Sequence, residues 1–420
     1  MSRVALVQLV SEQTMQNVLP ILRLKPIKVY HLATTKTAPR TEYILKAVKN
    51  AGQTPAAENI RLSSMPSIAE TQRAVARAIA FAREEELEPV VNFTGGTKLM
   101  SIGAFTAANQ ATPPAMSLYV DTDDEQFVDG CTAPGLIRLL ENDMSFTPIR
   151  PMLTLDVIAT ANGIERITKG RDWSQFAELA KYLFANPAAE HATHEVVSAL
   201  VSKISGNGPR SPEEWLKLLD CEFELPEQVA HLAAACGLVR ITSTGKLTLP
   251  DGTRHELEQL ARARANKEHV QNYDQHRVAA TEPIAFALGF LSGGWWEVVV
   301  ADAVARTGLF TDVRWGATVV LPGGSELEED VVCVDGVRAV CISCKRGGAG
   351  ARLIAHLEEL DARARNLGGQ FTRKFVAVYV PVRGTAGTAL VKRARELNVR
   401  LITPENIARP DGFTRAMERA

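Results

Sequence analysis

The sequence predicts an α/β protein in three parts: an open, mostly parallel sheet over residues 1–150, a small winged-helix-like module over 151–275, and a second α/β domain over 276–420. Three observations lead there. Short apolar, β-branched runs alternate with amphipathic helical runs through the first part. Helical runs followed by two short strands around Thr244-Gly245 mark the second. The third is a hairpin pattern from Leu327 to Gly350, with acids at its start and a lysine near its end.

In the first part, Val4–Leu9, Ile27–Leu32, a weaker run near Ile60, Val90–Phe93 and Ala115–Asp121 read as strands, with helices near Asn17–Leu24, Thr41–Ala51, Ile68–Glu86 and Leu99–Asn109. Ligands of such sheets gather outside the carboxyl ends of the strands. Three of those ends are small and polar: Ser11–Asn17, Thr34–Lys36 and Thr94–Lys98. The Thr94-Gly95-Gly96-Thr97-Lys98 loop offers backbone N–H groups at a helix start, two hydroxyls and an ammonium, which suit a phosphate or ribose. Neither GxxxxGK[ST] nor GxGxxG is present, so ATP hydrolysis and dinucleotide redox chemistry lose support.

The middle part reads as helices at Phe176–Leu183, Glu195–Ile204, Pro212–Leu219 and Pro226–Ala235, with Gly206–Pro212 as a hinge. Its basic residues are sparse, so a structural linker is favoured over a DNA grip. The charged run Glu256–Arg277 reads as a solvated helix or as the wall of a nucleic-acid groove.

In the last part, Gly293–Val304 places Val300, Ala301 and Val304 at i+3, i+4 and i+7 from Glu297, so that carboxylate sits in the buried stripe of a helix. A buried carboxylate needs a metal, a base or several donors nearby. The apolar run Pro283–Val304 is not read as a membrane span, because it contains Glu297, Asp302 and three glycines. In the hairpin, strand alternation puts Asp330 with Val332 and Val334, and puts Cys341, Ser343 and Lys345 on one face of the partner strand. Asp330 and Lys345 then meet at one rim of the sheet, where a divalent metal and a phosphate come together. A helical Glu, a strand Asp and a strand Lys in that order form a restriction-endonuclease-like constellation. A helix at Ala351–Leu367, a strand at Phe375–Val380, a helix at Ala386–Leu397 and a strand at Arg400–Ile402 complete the pattern.

Taken together, the SEQ…N…P loop, the NFTGGTK loop, GGWWE and the ED…SCK hairpin resemble the CRISPR ancillary nucleases. Those join an N-terminal CARF (CRISPR-associated Rossmann fold) sensor to a C-terminal restriction-endonuclease-like domain. The resemblance covers both ends of the chain and the order of its parts. It implies a homodimer that binds a cyclic oligoadenylate, most often cyclic tetra-adenylate, and then cuts single-stranded DNA or RNA with Mn²⁺ or Mg²⁺. It implies activator contacts at Ser11, Gln13, Thr14, Met15 and Asn17, at Thr34 and Thr35, and at Thr94, Gly95, Gly96, Thr97 and Lys98. Glu297, Asp330 and Glu328 become the expected metal ligands, Lys345 the expected catalytic cation, and Ser343 stands where the family pattern has an acid. That departure keeps open an alternative, a ligand-responsive DNA-binding transcription regulator whose nuclease-like domain is inactive. A constitutive nuclease is a further reading, and slow cleavage of the ligand by the sensor itself is another.

The formal net charge of -1 argues against coating nucleic acid by bulk charge, but not against a local basic groove. The first residues, MSRVALVQLV, run straight into a strand pattern, so no signal peptide is expected. The six cysteines are scattered, and the Cys341/Cys344 pair has no second pair to complete a zinc site. Reduced cysteines in a cytoplasmic protein are expected.

Overall fold

Two six-stranded sheets, each with an antiparallel strand at one edge, form the frame of the computed structural model. The structure describes residues 3–130, 135–204, 209–266, 270–347, 350–409 and 411–418. The start of the expected Gly206–Pro212 hinge, Cys131 and Lys267 lie outside them.

The first sheet holds β1 (Val4–Leu9), β2 (Lys28–Ala33), β3 (Ala56–Arg61), β4 (Glu88–Asn92), β5 (Met116–Asp121) and β6 (Gln126–Asp129), in the order β3-β2-β1-β4-β5-β6. All pairs are parallel except β5–β6. The order reverses between β1 and β4, and ligand crevices of doubly wound sheets open at such a switch point. Helices Met15–Leu24, Arg40–Asn50, Ile68–Glu84 and Lys98–Gln110 make the crossovers. Ser67 and Thr97 cap the last two by accepting the N–H of Glu70 and Met100.

The middle module contains helices Ala177–Ala185, Pro187–Ile204, Pro212–Leu219 and Glu227–Ala235, then a two-stranded ladder. Its lead-in does not belong to it alone. β7 (Arg166–Ile167) pairs with the far end of the C-terminal sheet. The ladder is formed by β8 (Arg240–Ile241) and β9 (Leu247–Thr248). The charged run divides into helices Arg254–Ala265 and Tyr273–Gly289.

The second sheet adds β10 (Thr311–Val320), β11 (Glu326–Asp335), β12 (Arg338–Lys345), β13 (Arg373–Val378) and β14 (Val399–Ile402), in the order β14-β13-β12-β11-β10-β7. The β11–β12 hairpin turns through Gly336 at φ 58 and Val337, one residue later than the Asp335-Gly336 turn read from the sequence. β10 was not foreseen. The Tyr273–Arg306 stretch contains a window long and apolar enough to cross a membrane. Here its apolar side chains, Trp295 and Trp296 among them, fill the core behind the sheet. The stretch bends at Phe290–Gly294, a π-helical turn directly before Glu297.

One core spans both sheets. Val18, Leu22, Ile44 and Val48 of the N-terminal domain pack in the same cluster as Val332, Val334, Leu353 and Leu357 of the C-terminal one. Leu155, Val157 and Ile158 of the Leu155–Ala161 helix complete it.

Candidate ligand cradle and candidate nuclease site

A cavity of about 470 Å³ opens at the carboxyl ends of β1, β2 and β4. Ser11, Gln13, Thr14, Met15, Thr34, Gly96 and Thr97 line it, as the sequence led us to expect. The other expected residues stand outside it. Asn17 is fully buried; its Oδ1 accepts the Ser11 N–H at 3.0 Å and its amide donates to the Leu9 carbonyl at 2.8 Å, so it shapes the 11–17 loop. Thr94 accepts the Val120 N–H at 2.7 Å and ties the loop to β5. A side chain at Gly95 would run into the Leu9 carbonyl, which explains the glycine there. Thr35 and Lys98 are exposed beside the cavity. Beneath it lies a buried polar row, Gln8, His31 and Asn92. The Asn92 amide donates to the Gln16 carbonyl at 2.9 Å, and burial holds His31 neutral, with its pKa lowered to about 4. The sequence reading missed Thr37, Ser64 and Asn162 in the wall, and also Gly368–Phe371 from the C-terminal domain. Nothing local to that last turn signals a role in a site so distant along the chain.

The acidic site forms where β11 and β12 part. Their ladder ends at the Val331–Ile342 pair, and beyond it the Asp330 side chain takes over the bonding. Its Oδ2 accepts from the Ser343 hydroxyl at 3.1 Å, the Cys344 N–H at 2.6 Å and the Lys345 ammonium at 3.0 Å. No donor among the described residues reaches Oδ1, which leaves one carboxylate oxygen available to a ligand. Ser343 spends its hydroxyl on Asp330, so the residue in place of the usual acid orients a carboxylate.

Glu297 enters from the helix Trp295–Arg306, and the Trp315 indole donates to its Oε2 at 2.9 Å. Burial first, and the Asp330 charge second, push its pKa up to about 8. Glu328 adds to that push, while the Trp315 bond and Lys345 oppose it. Glu297 and Glu328 face a cavity of about 330 Å³, walled by Phe286, Phe290 and Trp315 and edged by Arg171 and Glu282. Glu329, the next residue, is buried and points elsewhere, toward Arg363. The strand pair changes face at Gly316, which lies opposite Asp330 at φ 59: Trp315 and Val331 belong to one core, Ala317 to the other.

Among the described residues, no three His, Cys, Asp or Glu side chains are gathered as a ready metal cage. That does not contradict a hard divalent ion, which is commonly held by one or two carboxylates with water and substrate phosphate supplying the remainder. Asp330 Oδ1 and the crowded Glu297 carboxyl fit such a site. A cation there would favour the ionised Glu297 carboxylate against both its burial and the Asp330 charge.

The fold and these two sites define a class: a ligand-binding α/β domain joined to a restriction-endonuclease-like domain. The chain belongs to the proteins that pair a CARF domain with a Card1-like endonuclease domain, since residues 5–137 match the family described as the Card1 CARF domain and residues 285–416 match the Card1-like endonuclease domain. Two solved structures are similar in fold along nearly the whole chain. Can2 from Sulfobacillus thermosulfidooxidans, solved with cyclic tetra-adenylate, is 15% identical with a TM-score of 0.66, covering 99% of this chain and 97% of that one. Protein VC1899 from Vibrio cholerae is 14% identical with a TM-score of 0.69, covering 98% and 96%. A type III CRISPR defence DNA nuclease activated by cyclic oligoadenylate is 14% identical with a TM-score of 0.50, covering 96% of this chain and 48% of its own. No curated protein sequence matches.

Proposed function

We propose that the chain is a nuclease of type III CRISPR defence that cuts single-stranded DNA or RNA when a cyclic oligoadenylate, best cyclic tetra-adenylate, fills the N-terminal cradle. One observation carries this reading: a polar cradle at the CARF switch point and an Asp330–Lys345–Glu297 cluster at the endonuclease sheet occur in one chain with a shared core. The structure solved with cyclic tetra-adenylate has the same overall fold.

Asp330 and Glu297, with Glu328 beside them, would hold Mn²⁺ or Mg²⁺, and the bound ion would supply a polarised phosphate and a more acidic water. The chain's own residues prepare that site. Ser343, the Cys344 N–H and Lys345 fix one oxygen of Asp330, and the Trp315 indole fixes Glu297. The Lys345 ammonium also offsets negative charge that grows on the phosphate. None of the described cysteines is disulfide-bonded, which suits a reducing cytoplasm. The decisive assay incubates the protein with Mn²⁺ and single-stranded DNA or RNA, with and without cyclic tetra-adenylate. Cleavage is expected only with the activator. Equal cleavage in both would remove the regulatory claim, and none in either would remove the enzyme.

The working unit is a homodimer. Leu99, Ile102 and Phe105 stand 51%, 50% and 39% exposed along one side of the helix that begins at Thr97 of the cradle. The Phe105 ring rests on Phe93 at 5.3 Å, and Phe93 on the exposed Tyr119 at 5.9 Å, which extends the apolar strip. Pairing along this helix would place two cradles side by side, as a two-fold symmetric ring requires. Ile102→Asp is therefore expected to give a monomer by light scattering and to weaken activator binding at least about tenfold. A dimer that persists with unchanged affinity would place the interface elsewhere.

A further inference from the structure

The cradle is not closed by the N-terminal domain alone. Gly368, Gly369, Gln370 and Phe371, at the end of the Gly350–Gly368 helix and in the turn after it, form part of its wall. That turn is seated firmly on β12: a Cβ on Gly368 would meet Thr372 Oγ1 at 2.5 Å and Ala339 Cβ at 2.8 Å. Gly369 occupies left-handed backbone at φ 72, with Asn162 Oδ1 against it.

The same helix touches the nuclease site. Arg363 Nη1 donates to the Glu328 carbonyl at 2.9 Å, and its Nε lies 3.7 Å from the Glu329 carboxylate. The Glu329 side chain is buried, 3% exposed, and faces the Arg363 guanidinium. Arg363 Nε is buried and makes no hydrogen bond, so the pair sits loose by one bond. Gly368 lies five positions after Arg363, roughly 7.5 Å along a helix. Leu353, Leu357, Leu360, Ala364 and Leu367 bury the inner face of that helix in the core common to both domains. A hydrogen-bonded helix packed this way moves as one piece, and packed elements shift between discrete arrangements.

We propose that Arg363 is a positioning residue of the nuclease site: it holds the acid-bearing strand through the Glu328 carbonyl and the Glu329 carboxylate, and its helix carries the state of the cradle to that strand. This rests on the reading of the two sites given above, and it names the element that joins them. Filling the cradle presses on Gly369 and Gln370. The helix resettles, Arg363 closes on Glu329, and the Glu328–Asp330 segment is fixed in its working position. The coupling is physical and reciprocal, so substrate and ion at the acidic site tighten the cradle in turn. A separate polar link between the N-terminal sheet and the C-terminal domain, Arg338 to the Thr122 carbonyl at 2.6 Å and to Asp123 at 3.1 Å, lies at the hairpin turn, away from Asp330. It docks the domains without touching the acids.

The test uses the full-length protein with Mn²⁺, cyclic tetra-adenylate and a labelled single-stranded oligonucleotide. For Arg363→Gln, activator affinity by calorimetry is expected to stay within about threefold, while kcat at saturating activator falls about tenfold or more and KM changes little. A second readout does not depend on cleavage. In the wild type, activator slows hydrogen exchange in residues 326–332, and in Arg363→Gln that protection is lost. Arg363→Lys keeps the charge on Glu329 but not the fork of donors, and is expected to recover part of kcat. If Arg363→Gln does not fold, Arg363→Lys decides alone: unchanged kcat together with unchanged protection overturns the proposal. A wild type that binds the activator and cleaves, beside an Arg363→Gln variant with the same kcat and protection, defeats this inference and leaves the function standing. A wild type that neither binds nor cleaves defeats the function itself.

Discussion

Asp330→Asn is expected to lower activator-stimulated cleavage about 10³-fold or more, with activator binding unchanged, because loss of one positioned charged group in a site of this kind costs on that scale. The substitution preserves shape and removes charge. Asp330 Oδ2 collects a hydroxyl, a backbone N–H and an ammonium. A neutral amide oxygen can still accept the first two, so the β11–β12 fork should persist. It cannot neutralise Lys345, and it presents either a weak oxygen or an NH₂ group where a cation is to bind. The cradle shares no residue with this fork, so calorimetry with cyclic tetra-adenylate should give the wild-type affinity within about twofold, apart from the reciprocal coupling between the sites. Gel assays over a range of Mn²⁺ concentrations check the result. Activity within tenfold of wild type would show that the cluster is not where the phosphodiester is cut.

The second large effect is on stability. The Glu297 pKa is raised to about 8 from an ordinary 4.5, by burial first and by Asp330 second. A carboxyl with a raised value holds its proton more tightly folded than unfolded. The folded chain therefore carries more protons than the unfolded one between those values, and ion-free stability falls as pH climbs through that window. Below it, both states are protonated and the penalty is absent. Glu297→Gln is expected to remove the slope. In chelator, its urea-unfolding free energy should match the wild type near pH 4.5 and exceed it at pH 8.5 by several kcal/mol, since each pH unit between the two values contributes about 1.4 kcal/mol. Glu329, raised to about 7, adds a parallel slope that both proteins retain. Mn²⁺ at pH 8.5 should then stabilise the wild type and leave Glu297→Gln nearly unmoved. Parallel pH curves for the two proteins, or equal stabilisation by Mn²⁺, would contradict the assignment of Glu297 to the ion.

Much of this was legible in the chain because the signals were local. Alternation and small polar strand ends placed β1, β2, β4 and the loops at Ser11 and Gly96, and the 3.6 period placed Glu297 inward. The Asp330–Lys345 meeting followed from a tight turn and a period of two. What escaped was not local. β10 has Gly316 in its middle, where the backbone enters left-handed space and alternation fails, so no strand was read there. The adjacent acids Glu328 and Glu329 differ in fate by simple strand alternation, one facing the cavity and the other Arg363. Two-residue β7 has no signature of its own and exists only because β10 offers an edge. Trp315 as the partner of Glu297, and Gly368–Phe371 as part of the cradle, depend on packing between segments far apart in the chain. Ser343 stands out in the chain as a departure from the family pattern, but its hydroxyl bond to Asp330 depends on how the two strands part.

The hydrophobic cluster common to both sheets bears on how such a chain can be taken apart or recombined. Val18 and Ile44 at the front, Ile158 between, and Val332 and Leu357 at the back are neighbours in a single interior. A cut between front and back would leave an oily scar on each fragment, inviting self-association in place of independent folding. Grafting a different receiver onto this cutter therefore means transplanting the buried seam, Leu155–Ala161 included, along with the visible mouth.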